Sequence, residues 1–178
     1  MTAVVPRRFR RATSVQPSDV RAAQHVAASD CERIRPGLIG QPSNALSSVA
    51  FVLAAVPIAR RARDGRSLAW AGVAASAALE GVGSVAYHGP GGRLAKGVHD
   101  AGLVALMVTL ATARLSERPL AVRPRAAVLT VAAVALHTLS RTGGPLCSCN
   151  SRLQGHAVFH VVAAAALVAA APPRRPVS

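Results

Sequence analysis

Five apolar runs, separated by short stretches rich in arginine, glycine or proline, set the pattern of this chain. They cover residues 44–59, 67–87, 100–113, 126–139 and 153–171. The first ends at Arg60-Arg61-Ala62-Arg63, the second at His88-Gly89-Pro90-Gly91-Gly92, and the fifth at Pro172-Pro173. A Gly-Pro cluster cannot continue a helix, so each run is predicted to form a helix of its own. Several runs are nearer to about 15 residues than to the roughly 20 that cross a bilayer core untilted. Ala-rich helices flanked by arginine still span, because Arg stems snorkel to the interface and small residues let backbones pack closely. The predicted fold is all-α: a polytopic transmembrane helical bundle of about five spans. Residues 1–38 form a polar, Arg-rich segment with a short amphipathic stretch near residues 20–28. Residues 39–172 form the helical domain, and residues 173–178 a short tail.

Composition favours a membrane over a soluble reading. Of the 178 residues, 51% are hydrophobic, 16% charged and 3% aromatic. Such a chain is too apolar for disorder, and too poor in charges and aromatics for an ordinary soluble enzyme. Lys+Arg 21 against Asp+Glu 7 gives a formal +14, which in a soluble protein would point to nucleic acid. Here Lys96 is the single lysine, and the arginines cluster between apolar runs. With no basic helix, aromatic platform or RNP-like motif, no nucleic-acid partner is expected.

The clusters give a topology instead. Loop one carries Arg60, Arg61, Arg63 and Arg66, and loop three carries Arg114, Arg118, Arg123 and Arg125. Loop two has Arg93 and Lys96, and loop four has Arg141 and Arg152. Positive-inside logic then puts loops one and three in the cytoplasm, the N-terminus outside and the C-terminus inside. The first residues are basic but no apolar run follows them, so no cleaved signal peptide is expected.

An ionisable group inside a span costs on the order of 2.5–3.5 kcal/mol on insertion scales, so each one needs a reason. The second run carries Glu80, Ser84 and His88, spaced by four along one helical face. The third opens with His99-Asp100, and the fifth with His156-Ala-Val-Phe-His160, two imidazoles one turn apart. An i, i+4 His pair can reach one metal ion, the geometry zinc proteases use. Parity adds a check that spacing lacks: with five spans, His88, Asp100, His156 and His160 all fall at the outer end.

Three neutral nitrogens from His88, His156 and His160, with a fourth position open, are the donor set of a catalytic zinc. Asp100 would be the general base, or would orient the water that zinc acidifies to a pKa of about 7. Ser84 would hydrogen-bond a developing oxyanion or that water. Plainer readings stand beside these. Ser84 is a small packing residue, and Asp100 an N-cap carboxylate favoured by the helix dipole. His25 and His137 are interface histidines without function. Glu80 either pairs with an arginine or lines the cavity, and His99 has no assigned role. Cys31, Cys147 and Cys149 exclude a disulfide framework but permit one bridge.

The stretch GVGSVAYH (81–88) resembles the Ser-x-x-x-His motif of the alkaline ceramidase-like membrane hydrolases, part of the CREST superfamily that includes the adiponectin/progestin-type receptors. Asp100 and LQGHAVFH (153–160) match that family's remaining motifs in order. CERIRPGLIGQPSNALSS (31–48) looks like its N-terminal Cys-Glu and Asn-x-x-Ser signature. The resemblance implies a seven-span zinc amidase with zinc on His88, His156 and His160. It makes Asp100 the water-activating residue and Ser84 the hydroxyl that assists the substrate carbonyl. It implies a long-chain lipid amide substrate, ceramide-like, entering sideways from the bilayer. It also implies a disulfide from Cys31 to the loop before the last span, where Cys147 and Cys149 both stand, and an oxidising exterior suits such a bond.

The chain departs from the family in three respects. It has five runs rather than seven, so two helices between Asp100 and the last motif are missing, which keeps the parity but removes cavity wall. Phe159 stands where the family often has Trp. Asp30 and Glu32 match part of a calcium-binding region, but Gln41 stands in place of an acid, so calcium is not expected.

The expected function is an integral membrane zinc-dependent hydrolase acting on a lipid amide. One alternative is a non-catalytic receptor-like or scaffold bundle with a structural zinc site. Another is a metal-independent serine hydrolase using Ser84, His88 and Asp100. That one lacks a G-x-S-x-G elbow and would put nucleophile and base on one helix turn. Residues 89–92 have neither the strand context nor the lysine of a P-loop, so no nucleotide is expected.

Overall fold

The computed structural model describes residues 26–117 and 123–173. The segment up to residue 25, with most of the expected amphipathic stretch, and the tail from residue 174 lie outside the described residues. After a short 3-10 turn (Val26–Asp30) come α1 (Pro42–Asp64), α2 (Leu68–His88), α3 (Arg93–Leu115), α4 (Pro124–Leu139) and α5 (Gly155–Ala170). The architecture is all-α, one helix for each apolar run. The helices α1, α2 and α3, of 23, 21 and 23 residues, are long and apolar enough to cross a membrane. The apolar helices α4 and α5 have 16 residues each, about 24 Å of rise. That is shorter than a hydrocarbon core of about 30 Å.

Local chemistry sets the boundaries. Pro42 and Pro124 open α1 and α4, where a missing N–H costs nothing. Ser67 caps α2, its Oγ accepting from the Trp70 N–H at 3.3 Å. The turn from α2 to α3 needs Gly91 and Gly92 at φ +69° and +94°, left-handed values that glycine takes without strain. Two boundaries differ from the apolar runs. Arg60, Arg61 and Arg63 belong to the end of α1 rather than to the loop, and the helix ends at Asp64. α3 begins at Arg93, with Gly92 as its N-cap. Asp100 therefore sits about two turns inside α3 and cannot be its N-cap carboxylate, since that position precedes the first turn.

The chain packs α1 on α2, α2 on α3 and α4 on α5, and α5 returns to α1. The helices thus follow one another as an arc, α4–α5–α1–α2–α3, with α1 and α2 at its centre. Burial agrees: α3 buries Gly102, Leu106 and Ala113, and α4 only Ala126 and Ala133 among the described residues. Phe51, Ile58, Trp70, Val73, Leu106 and Leu167 carry the bulk of the core, and alanines fill the space between them. α2 and α3 approach through glycines. A Cβ on Gly83 would lie 2.8 Å from His99 N, and one on Gly102 would lie 2.8 Å from Glu80 Cα. Any larger residue at either point would push the two helices apart.

Residues 26–41 form a strap across one end of the bundle, against the connection between α4 and α5. Thr142 N–H donates to Ser29 O, Arg33 N–H to Cys149 O, and Gln41 N–H to His88 O, at 2.9, 3.0 and 2.8 Å. The buried Glu32 carboxylate accepts from Ser43 N–H at 2.9 Å and Asn44 N–H at 2.8 Å, so the strap caps the open start of α1. A disulfide joins Cys31 to Cys147, which settles the choice between the two partners; Cys149 is free and exposed. Burial pushes the Asp30 carboxyl above its ordinary value of 3.8, partly opposed by Arg141 at 3.8 Å and by a Ser29 hydrogen bond.

Candidate metal centre

Under the strap, three histidines from two helices converge. His88 is the last residue of α2, and His156 and His160 lie on the first two turns of α5. All three are buried, and one ligand atom from each lies within 4.8 Å of the others. Ring centroids are 5.3 Å apart for His88–His156, 5.3 Å for His88–His160 and 4.6 Å for His156–His160. The i, i+4 pair therefore meets the histidine from the other helix, as the leaflet argument requires.

The neighbours of the rings settle which nitrogen faces the centre. Gln41 Nε2 donates to Glu32 O at 2.8 Å, which turns its Oε1 towards His88 Nδ1 at 2.7 Å. The proton of His88 is then on Nδ1 and its lone pair on Nε2. Ser47 Oγ donates to Asn44 O at 3.0 Å and so accepts from His160 Nδ1 at 2.9 Å, which leaves the lone pair of that ring on Nε2. His156 Nδ1 is buried with no hydrogen-bond partner. An orphaned imidazole nitrogen at a cluster of neutral nitrogen donors fits a zinc-type ion and does not fit calcium or magnesium, which take oxygen. Anchoring of the far nitrogen is the usual partner of metal ligation.

Ser84 is fully buried and joins the centre indirectly. Its Oγ is 2.8 Å from Ser48 Oγ, and Ser48 Oγ is 3.3 Å from His160 Nδ1. Asp100 is elsewhere. Its carboxylate is half exposed and paired with Lys96 and with His99 Nδ1, the latter at 3.1 Å. His99 Nε2 in turn reaches the buried Glu80 at 3.3 Å. Glu80 thus pairs with a histidine rather than with an arginine. Tyr87 lies between the two groups, its ring 5.1 Å from His88 and 4.9 Å from His99. The physical reason is the face by which α3 packs on α2, which runs through His99, Gly102 and Leu106 and leaves Asp100, two turns inside the helix, pointing to the exposed side.

Other residues at the centre carry a weaker signal in the sequence or none. Gln41 stands out there only as a missing acid, and Ser47 only as part of an Asn-x-x-Ser pattern. His137, read as functionless, packs against His156 at 5.5 Å and Phe159 at 4.9 Å. The sulfur atoms of Cys31, Cys147 and Cys149 form a second group close enough for a metal, but two of the three are bonded to each other. An apolar groove of about 700 Å³ lies between α1 and α2 towards the arginine hairpin, lined among others by Val52, Ala59, Arg63, Arg66 and Leu68. Comparison with known protein families, with curated proteins and with solved structures finds no match for this chain.

Proposed function

We propose that this protein is an integral membrane zinc hydrolase that cleaves the amide bond of a long-chain, ceramide-like lipid. The observation that carries the reading is the convergence of His88, His156 and His160, buried, with ligand atoms within 4.8 Å of one another. His88 and His160 have their Nδ1 atoms engaged by Gln41 and Ser47. These residues would hold the metal. When bound, zinc supplies a Lewis acid that polarises a carbonyl and acidifies water. Gln41 and Ser47 keep the rings oriented, and Ser84, held through Ser48, lines the side where a substrate carbonyl would lie. The motif resemblance gives proton transfer to Asp100, and in this reading that carboxylate acts once its pairing with Lys96 opens. The lipid enters from the bilayer at the side where α3 and α4 stand apart. The N-terminus is outside and the C-terminus cytoplasmic, with the metal end outward.

A second reading has its own support: a scaffold or receptor-like bundle with a structural zinc. It is favoured by the separation of Asp100 from the histidines and by the position of the apolar groove nearer the opposite end. The serine hydrolase reading loses ground, because Ser84 bonds to Ser48 and Asp100 to Lys96.

The test is elemental analysis of detergent-purified protein, followed by a screen of fluorescent lipid amides. About one zinc per chain, with lipid-amide cleavage abolished by a chelator and restored by zinc, is the expected result. Zinc without turnover of any amide would favour the scaffold. A folded protein that takes up no zinc would sink both.

A further inference from the structure

We propose that Cys31, Cys147 and Cys149 form a thiol–disulfide exchange site that sets how the strap is tied to the α4–α5 connection. The proposal does not depend on the hydrolase reading. Cys149 Sγ lies 3.9 Å from Cys31 Sγ and 3.7 Å from Cys147 Sγ, so one thiol is in contact with both sulfurs of the bridge. Of the three, Cys149 is the exposed one, whereas Cys31 is buried. The thiol lies side-on to the bond, and rotation of the exposed Cys149 side chain brings its thiolate, the attacking species, into line with the S–S bond as exchange requires.

The chemistry needs no outside oxidant. Cys149 gives its proton to water and attacks one sulfur of the Cys31–Cys147 bond; a new S–S bond forms as the old one breaks. The displaced sulfur leaves as a thiolate and takes a proton from water. The number of disulfides and thiols is unchanged.

The two directions of attack differ in consequence. Attack on Cys31 gives Cys31–Cys149 and frees Cys147, so the strap stays tied but two residues further along the connection. Attack on Cys147 gives Cys147–Cys149 and frees Cys31, which unties the strap. Both segments lead directly to the histidine cluster. The strap carries Gln41, bonded to His88, and the connection runs on through Gln154 into α5 and His156. Backbone bonds hold both segments at the site, Thr142 N–H to Ser29 O at 2.9 Å and Arg33 N–H to Cys149 O at 3.0 Å, so a change of bonded cysteine is carried into the strap and the connection together. The cysteine that is bonded therefore decides where the last helix is pulled relative to the strap.

The experiment maps free and bonded cysteines in the full-length protein after incubation in mildly alkaline buffer with a trace of glutathione. Free thiols are capped with light iodoacetamide, the protein is then reduced, and the rest are capped with the heavy reagent. Fragment ions of the tryptic peptide covering residues 142–152 report Cys147 and Cys149 separately. The expected result is light label shared between Cys149 and Cys147, with a bias of no more than about tenfold between the two bonds. In Cys147→Ser, a Cys31–Cys149 bond is expected to replace the original one. In Cys149→Ser, the light label should vanish. Light label confined to Cys149 in the wild type would overturn the proposal, as would a folded Cys147→Ser protein with Cys31 and Cys149 both free. If Cys147→Ser does not fold, the wild-type label distribution decides alone.

Discussion

Two polar clusters, one of three histidines and one around a single histidine, meet at one tyrosine, and they could hardly be built more differently. On one side of Tyr87, His88 and His160 each spend Nδ1 on a neutral anchor from α1 or the residue just before it, and His156 has a buried Nδ1 with no partner at all. On the other side, His99 has both nitrogens occupied by carboxylates, Glu80 and Asp100, and Asp100 is further neutralised by Lys96. A ring with one nitrogen anchored has a lone pair to offer a metal. A ring with both nitrogens engaged by side chains has no lone pair left to offer. The same residue type, close in space, is thus poised for ligation in one place and closed to it in the other, and the difference lies in what the second nitrogen meets.

The largest expected break in this comparison comes from the ligands. His160→Ala should lose bound zinc altogether, whereas His99→Ala should retain it, with elemental analysis as the readout. Loss of zinc in both would mean that the two clusters are one site. Next come the anchors: Gln41→Ala and Ser47→Ala are expected to weaken zinc by about 10–100-fold, measured by competition with a chelator. An unchanged affinity would show that packing alone orients the rings.

Opening the second cluster should act on stability instead. Gly83→Val forces α2 from α3 and is expected to cost about 1–3 kcal/mol in a thermal or denaturant titration, with zinc retained. Asp100→Asn removes an exposed pairing and should change stability by no more than about 1 kcal/mol. If Asp100 does act in proton transfer, that variant keeps its zinc and loses lipid-amide turnover, and retained turnover would remove Asp100 from the mechanism.

The smallest expected effect is a pH dependence at the strap. Burial holds Asp30 above its ordinary 3.8, so the folded protein keeps a proton that the unfolded chain releases. This contribution to stability is complete below pH 3.8 and is lost as pH rises through the folded value. Asp30→Asn should flatten that decline in the thermal midpoint, and an identical pH profile would show that Arg141 already compensates the charge.

Much of the fold was legible because helices announce their faces and their stops. Glycine and proline around residue 90 mark the turn between α2 and α3, and the apolar runs give one helix each. The start of α3 was not legible, since the stretch before His99, with Arg93 and Lys96, looks like loop when hydropathy alone is read. Asp100, two turns inside α3 and off the face that packs on α2, is in an exposed pair and not beside the histidines. The three histidines were legible through i, i+4 spacing and parity. Their anchors were not, because Gln41 belongs to an irregular strap whose path no periodicity encodes. Nor was the role of His137 as a wall, which depends on α4 packing against α5.

The return of α5 to α1 also orders the life of the molecule. α5, which leaves the ribosome after α1–α4, brings two of the three histidines, and the bridge that ties the strap spans a separation of 116 residues. A chain made only as far as α4 cannot assemble the centre, however well its first three helices have settled. Any metal loading at these histidines therefore waits for α5 and closure of the strap for Cys147, and a chain made only through α4 carries His88 without the two imidazoles that face it in the fold.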